Sequence, residues 1–282
     1  MRGTEAGRVN AAPLHSMPRS IDEALALRAA HPRAIVIGGA TAAQLGWPAG
    51  RAGVPLIDLQ ALVRDARRQP ARRGQAETGE RALVLSAFSP LEALRRDPMV
   101  SAELPALAHL LTQVASAPVR RLGTLGGNLC WPAGDLGGAM LALGARLCFA
   151  RAGEVAAAPA HELPTDDLLT EVVVPVGASF TVFEKIGYRA AFSPTLMTVA
   201  IVRDASGIRV AAGGGPTPAQ RLTDIETLLT SGGGDEPALQ QAVRAQLHTV
   251  SDALAAASER REVAARTIAG YLSAHLDGRS AR

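Results

Sequence analysis

Aromatic residues are scarce in this chain: Phe, Trp and Tyr make up 3% of 282 residues. Binders of single-stranded nucleic acid need exposed rings on which bases can stack, so that class is excluded. A planar cofactor would have to be held by backbone and aliphatic groups. Cysteine is equally sparse. The chain has two, Cys130 and Cys148, and no CxxC spacing. These are too few thiolates for an iron–sulfur cluster or a structural zinc site supplied by this chain alone, and they fit a reducing compartment, the cytoplasm. No apolar run approaches the length of a membrane span, and residues 1–12 read as a flexible leader without the pattern of a secretory signal. Nucleotide fingerprints are missing as well. There is no GxGxxG, and Gly123, Gly126 and Gly127 are wrongly spaced for a P-loop, which requires Lys and then Ser or Thr after its last glycine.

Hydrophobic residues make up 48% and charged residues 20%, enough to bury a core and stay in solution. The length admits one large domain or two ordinary ones. The net charge of +3 is weak and comes mostly from scattered arginines. The densest run, Arg64, Arg67, Arg68, Arg72 and Arg73, is interleaved with Asp65 and followed by Glu77, and reads as a solvated loop or else a phosphate or partner patch. The six histidines, His15, His31, His109, His161, His248 and His275, are scattered and suggest no acid–base pairing.

Local signals alternate short strands and helices in the first half, as α/β and α+β folds do. Ser20-Ile21-Asp22-Glu23 is a capping box opening a helix over Ile21–Ala30. Strands are predicted at Ala34–Ile37, Leu56–Leu59, Ala82–Ser86 and Arg146–Phe149. Further helices begin at Ser89-Pro90-Leu91-Glu92, run from Glu103 to Ser116, and start at Asp135 to end at Leu143. Glu171–Val174 is β-prone, and a domain boundary falls near Pro175-Val176-Gly177. Beyond it come three longer strands, Phe180–Ile186, Leu196–Val202 and Ile208–Ala212. Helices follow at Thr223–Thr230, Pro237–Ala257 and Arg261–Leu276. The Gly232-Gly233-Gly234 run reads as a surface loop.

Two segments carry the chemistry: Val36-Ile37-Gly38-Gly39-Ala40-Thr41 and Gly123-Thr124-Leu125-Gly126-Gly127-Asn128. Each is an apolar approach, a Gly-Gly pair and a small polar residue. Glycine admits positive φ and clears Cβ from the surface, so successive N–H groups can line one concavity and bind an anion such as a diphosphate. Either segment alone also reads as an ordinary turn; two of them in one chain argue for a shared ligand.

In these and two further segments the chain resembles the flavin-binding subunit of the molybdenum hydroxylases, the group of xanthine dehydrogenase and carbon monoxide dehydrogenase. The resemblance is carried in order by AIVIGGAT (Ala34–Thr41), VRRLGTLGGNL (Val119–Leu129), TDDLLTEVVVP (Thr165–Pro175) and FEKIGYRAAFSPTLMTVAI (Phe183–Ile201), with GGGPTPAQRL (Gly213–Leu222) as a weaker fifth. It implies an α+β fold. Residues 13–176 would form an FAD-binding domain of the vanillyl-alcohol-oxidase (PCMH) type, made of two α/β subdomains. Residues 177–282 would form a C-terminal α+β domain with a small sheet and packed helices.

The resemblance also implies the cofactor, FAD, and its site. Val36, Ile37, Gly38, Gly39, Ala40 and Thr41 would wrap the diphosphate. Thr124, Gly126, Gly127 and Asn128 would serve the diphosphate and ribityl region. Asp135 would lie near the adenosine end or the ribityl chain, Leu169 on the flavin side, and Lys185 near the isoalloxazine carbonyls. Plainer roles stand beside these: Thr124 closing a turn, Asp135 capping a helix, Leu169 in the core, Lys185 solvated on a strand. Cys130 invites a covalent-flavin reading, which the family's non-covalent FAD opposes, and Trp131 and Tyr188 are the aromatics nearest the motifs. The sequence departs from the family in having Ala40 and Thr41 where Thr and then an acid usually follow the first Gly-Gly, and in a shorter segment between Asn128 and Asp135. Both departures put the tightness of FAD binding in question.

The implied role is an electron-transfer subunit of an oxidoreductase. A molybdenum-cofactor large subunit would oxidise substrate, and a small subunit would carry electrons through [2Fe–2S] clusters to this FAD. The acceptor would be NAD, quinone or oxygen. No residue of this chain would be catalytic toward substrate, and none would bind metal. The alternatives are a stand-alone FAD oxidoreductase of the same fold, or a degenerate interaction module without flavin.

Overall fold

A computed structural model of the chain describes residues 15–45, 54–189, 193–232 and 234–276. The expected leader at residues 1–12 lies outside them, as do Ala190, Ala191 and Phe192 of the fourth motif and Gly233 of the glycine run. Three sheets, met in chain order, organise the fold.

The first is small and parallel. It comprises β1 (His15–Ser16), β2 (Ile35–Ile37) and β3 (Leu56–Asp58) in the order β1-β3-β2, with α1 (Ile21–Ala30), α2 (Thr41–Leu45) and α3 (Gln60–Ala66) between and after the strands. The capping box places α1 where expected: the Ser20 hydroxyl accepts the Glu23 N–H at 3.1 Å, and the Glu23 carboxylate reaches back to the Arg19 N–H at 2.7 Å. This unit buries Ala24, Leu25, Ile57, Leu59 and Leu168.

The second sheet is antiparallel, β4 (Ala71–Gln75), β5 (Arg81–Ser86), β6 (Arg146–Phe149), β7 (Gly153–Ala156) and β8 (Leu169–Pro175), in the order β4-β5-β8-β6-β7. Six helices separate β5 from β6: α4 (Leu91–Arg96), α5 (Pro98–Glu103), α6 (Pro105–Gln113), α7 (Ala117–Leu122), α8 (Leu125–Leu129) and α9 (Gly137–Leu143). The arginine run expected to be a loop instead spans the end of α3 and the strand β4, where Arg72 forms a two-pronged bond to Glu171 at 2.8 and 2.9 Å. The helix expected over Glu103–Ser116 is broken at Leu104, because Pro105 cannot continue the preceding turn and instead opens α6 at its first position.

The third sheet is antiparallel and has four strands rather than three: β9 (Phe180–Gly187), β10 (Thr195–Asp204), β11 (Gly207–Gly214) and β12 (Thr217–Arg221), in the order β12-β11-β10-β9. The missed strand β12 carries Pro218 and sits at the sheet edge, where a residue without an N–H is tolerated. Both faces of this sheet are covered, so β10 is buried from Thr195 to Val202. Its alternation splits it between two cores. Ala200 and Val202 join the α4–α9 core, whereas Met197, Val199 and Ile201 pack with α10 (Thr223–Thr230), α11 (Glu236–Gln246) and α12 (Ala257–Leu276). Helix α9 lies close on the sheet through Gly137 and Gly138. A Cβ on Gly137 would come 3.1 Å from the Ala219 Cβ.

The helix expected over Pro237–Ala257 ends at Gln246, and α12 begins before the expected Arg261. Tertiary bonds hold the residues between. The Val250 N–H meets the Thr217 hydroxyl at 3.1 Å, the His248 N–H meets the Gln220 amide at 3.0 Å, and Asp252 binds Arg260 at 2.7 Å. Arg260, fully buried, extends its other terminal nitrogen, Nη1, to the carbonyls of Thr195 and Leu196. Among the described residues no helix is long and apolar enough to cross a membrane.

Candidate functional site

The first glycine segment leaves β2 and enters α2. Among the described residues, no acceptor meets the N–H of Gly38, Gly39 or Ala40. The Gly38 carbonyl is held by the Gln60 amide from α3. Ala40 has φ +55°, the left-handed region that a residue with a Cβ enters at a cost. Three consecutive donors at a reversal of this kind are what an anion needs.

The second segment is built differently. It is helical, with Thr124 capping α8: its hydroxyl accepts the Gly127 N–H at 3.1 Å. Four of the other five N–H groups are also spent internally, and that of Thr124 meets no acceptor among the described residues. Gly123 donates to Val119, Leu125 to Ser89, Gly126 to Ala87 and Asn128 to Thr124. The glycines here serve close packing, since a Cβ on Gly126 would lie 3.0 Å from the Ala87 carbonyl. The two segments touch. A Cβ on Gly38 would come 2.9 Å from the Thr124 hydroxyl, and one on Gly39 would collide with the Leu122 carbonyl oxygen at 1.8 Å.

Arg120, in the second motif, was not expected to matter. It is buried, with Nε 2.9 Å from Glu92 and Nη1 on the carbonyls of Thr112, Val114 and Ala115 at 3.2, 3.0 and 2.9 Å. It fastens α7 to α4 and to the end of α6, and so fixes where the second segment begins. Hydrogen bonds from Arg95, opposed by burial and reinforced by Arg120 and Arg96, hold the Glu92 carboxyl at about 2. A charge amid an apolar stretch ahead of Gly-Thr is the sequence signal for this clasp; its partner Glu92, in a separate helix, is not readable from sequence.

A cleft of about 390 Å³ opens between the first sheet and the α8–β8 region, within the range of cofactor sites. Val36, Gly38, Thr124, Gly126, Gly127 and Leu169 line it together. Arg28, Phe88, Cys130 and Asp167 line it too, none of them an expected site residue. Asp167 is already claimed. Burial works to raise its carboxyl, but N–H bonds from Ala152, Leu168 and Arg151 outweigh burial and hold it below its usual value. Cys130 is exposed as a residue, yet desolvation pushes its thiol up to about 11, with the Arg28 charge pulling the other way. A neutral thiol is a poor nucleophile.

Ile37, Gly39, Ala40 and Thr41 complete the first segment beside the cleft, and the Thr41 hydroxyl would meet a Cβ on Gly123 at 3.0 Å. The Asn128 side chain points into the fold and accepts the Leu136 N–H at 3.0 Å. Asp135 does not cap α9, whose N-cap is Leu136 without a side-chain bond. Its carboxylate instead takes the Lys185 ammonium at 3.0 Å and the Thr195 hydroxyl. The Lys185 side chain is 8% exposed. Lys185 is therefore not solvated, and the pair ties the start of α9 to β9 and β10 outside the cleft lining. Trp131 is half-buried and Tyr188 exposed, its hydroxyl on the Leu254 carbonyl. His15 lies 3.3 Å from Asp58, at the first sheet rather than in the cleft. A larger open groove of about 710 Å³ touches neither glycine segment, and its arginines, Arg146 and Arg221, are paired with Glu154 and Glu226.

Unclaimed backbone donors and an aliphatic wall suit a large anionic cofactor. Residues 12–177, more than half of the chain, match the family described as the FAD binding domain in molybdopterin dehydrogenase; the chain belongs to that family, and its cofactor is FAD. The residues present fit it, since the diphosphate can take the three donors of Gly38, Gly39 and Ala40. Among curated proteins, caffeine dehydrogenase subunit beta of Pseudomonas sp. (strain CBB1) is 26% identical over 190 residues, 61% of each chain. YgfM of Escherichia coli (strain K12) is 31% identical over 165 residues, 57% of this chain and 62% of its own. The chain thus spans just over three fifths of the curated relatives it matches.

In structure it is similar to a chain of the carbon monoxide dehydrogenase of Hydrogenophaga pseudoflava, with TM-score 0.78, 23% identity, and coverage of 95% of this chain and 98% of that one. Quinoline 2-oxidoreductase of Pseudomonas putida 86 follows with TM-score 0.75, 23% identity, and coverage of 96% and 99%. At such identities these likenesses speak for the fold, which is the mixed α+β fold expected.

Proposed function

We propose that this chain is the FAD-carrying electron-transfer subunit of a cytoplasmic molybdenum hydroxylase. It receives electrons from [2Fe–2S] clusters on a small partner subunit, while a molybdenum-cofactor large subunit oxidises substrate, and it passes them to an external acceptor, NAD, quinone or oxygen. Residues 13–176 form its FAD domain and residues 177–282 a C-terminal α+β domain. The observation that carries the reading is the cleft in which a family-matched glycine segment presents three N–H groups with no acceptor among the described residues. With only two cysteines in the sequence, the reading puts the clusters on another subunit.

When bound, the flavin supplies two-electron storage that can be filled and emptied in single steps. The protein's part is positional. Val36 to Thr41 wrap the diphosphate, with the donors of Gly38 to Ala40 aimed at it. Thr124, Gly126 and Gly127 form the facing wall, and Leu169 gives the flavin an aliphatic surface that excludes water. Asn128 fixes Leu136 and thereby Asp135, and the Asp135–Lys185 pair braces the site against the C-terminal sheet. Asp167 is the sole carboxylate among the described lining residues and is saturated by N–H donors, so the cleft offers no free base for substrate. This favours an electron relay over a stand-alone oxidoreductase.

The visible absorption spectrum of the purified chain, before and after added FAD and then dithionite, tests the reading. Flavin bands that bleach on reduction, with intact FAD released on denaturation, are expected. A colourless chain that takes up no FAD refutes it. Co-purification of iron–sulfur and molybdenum subunits from the native cell tests the assignment of partners.

A further inference from the structure

We infer that Arg28 is a specificity-determining residue of the cleft, binding the diphosphate of FAD through its guanidinium. The inference rests on the FAD site proposed above and adds a side chain that none of the glycine motifs contains. Helical spacing puts Arg28 in line with Ile21, Ala24 and Leu25, the row of α1 that faces the core, where Ala24 and Leu25 are buried. A charge in such a row is desolvated and needs compensation. Arg28 is half-buried and makes no hydrogen bond or ion pair with any described residue. It opens instead onto the cleft, sharing its wall with Gly38, Thr124, Gly127 and Cys130.

Charge in the cleft argues the same way. Asp167 puts a negative charge on the wall. An anionic ligand entering beside Asp167 therefore meets repulsion that Arg28, the sole cation among the described lining residues, offsets. In oxidised FAD the anionic part is the diphosphate, and a guanidinium matches phosphate oxygens with paired N–H groups. The free N–H groups of Gly38 to Ala40 approach the same anion from the backbone side. Arg28 thus selects the nucleotide half of the cofactor, while Leu169 and the other apolar walls serve the flavin half.

The test measures binding of FAD, riboflavin and ADP to the wild-type full-length chain and to the R28Q and R28K variants, at low and high salt. Flavin fluorescence reports FAD and riboflavin, and competition reports ADP. R28Q is expected to weaken FAD and ADP roughly ten- to hundred-fold, to leave riboflavin unchanged, and to flatten the salt dependence of FAD binding. R28K recovers part of the loss. Equal losses of FAD and riboflavin would reveal a structural role and overturn the inference, as would wild-type FAD affinity in R28Q. A wild-type chain that binds no FAD refutes the site itself, and the role of Arg28 with it.

Discussion

The contact between the two glycine segments is the sharpest point at which the site can be challenged. Gly39→Ala adds a methyl group 1.8 Å from the Leu122 carbonyl oxygen, 2.2 Å from its carbon and 2.8 Å from the Gly123 nitrogen. The φ of Gly39 lies outside the left-handed region, so backbone strain does not confound the substitution and the cost is steric. The obstacle is backbone, pinned by Arg120 and by the Gly123 N–H on the Val119 carbonyl at 2.7 Å, so it cannot rotate away as a side chain would. The two segments must part by roughly 1 Å or more. Overpacking of this kind costs about 3 kcal/mol, the upper end of its usual range, and lowers Tm by roughly 6–12 °C for a domain of this size. Gly38→Ala is the internal control. Its methyl meets the Thr124 side chain at 2.9 and 3.1 Å, which can yield, so about 1 kcal/mol is expected. Urea unfolding of the FAD-free chain gives the stabilities, and FAD titration shows whether parting the segments carries the donors of Gly38 to Ala40 off the diphosphate, with affinity falling ~10-fold or more. Wild-type stability and affinity in Gly39→Ala, or a larger loss in Gly38→Ala, would refute the packing described.

Three further perturbations follow from the same geometry. Lys185→Met leaves Asp135 buried and unpaired and costs about 3–5 kcal/mol, whereas K185M/D135L recovers most of it; a double-mutant cycle by urea unfolding checks this, and strictly additive losses would contradict a coupled pair. The Glu92 carboxyl, held at about 2 against an ordinary 4.5 by Arg95 first and then by Arg120 and Arg96, is depressed in the folded state. Its contribution is therefore complete above 4.5 and lost as pH falls from there toward 2; Glu92→Gln flattens the acid limb of stability against pH in that window. Ala40→Gly relieves the positive φ at the first turn and raises stability by about 1 kcal/mol, read as a higher Tm, with an unchanged melt as the contrary result.

Much of the fold was legible because its signals are local. Ser20 and Glu23 set the start of α1, hydrophobic runs marked most strands, and the spacing of four motifs pointed to an FAD-binding family. Apart from the helix break at Pro105, which is local, the misreadings come from tertiary contacts that override local preference. Pro218 suggested no strand, yet the edge of the third sheet accepts it. The residues after Gln246 look helical, yet Asp252, Val250 and His248 are drawn away by Arg260, Thr217 and Gln220. Asp135 before an apolar run looks like a cap, but Lys185, 50 residues on, competes for its carboxylate and wins because an ammonium at 3.0 Å binds more strongly than a backbone N–H.

By itself the sequence determined the chemistry that is available: glycines where a backbone must approach an anion, too few cysteines for a cluster, and apolar residues at the periods of strands and helices. These follow from residue type and spacing, which are local. Only the tertiary structure decided how the two glycine segments differ. The donors of Gly38 to Ala40 are left without an acceptor among the described residues, while those around Gly126 are consumed by Ala87, Ser89 and Thr124. Which N–H groups remain for a ligand depends on which acceptors the fold brings within 3 Å or so, and those acceptors lie in the turn after β5 and at the N-cap of α8.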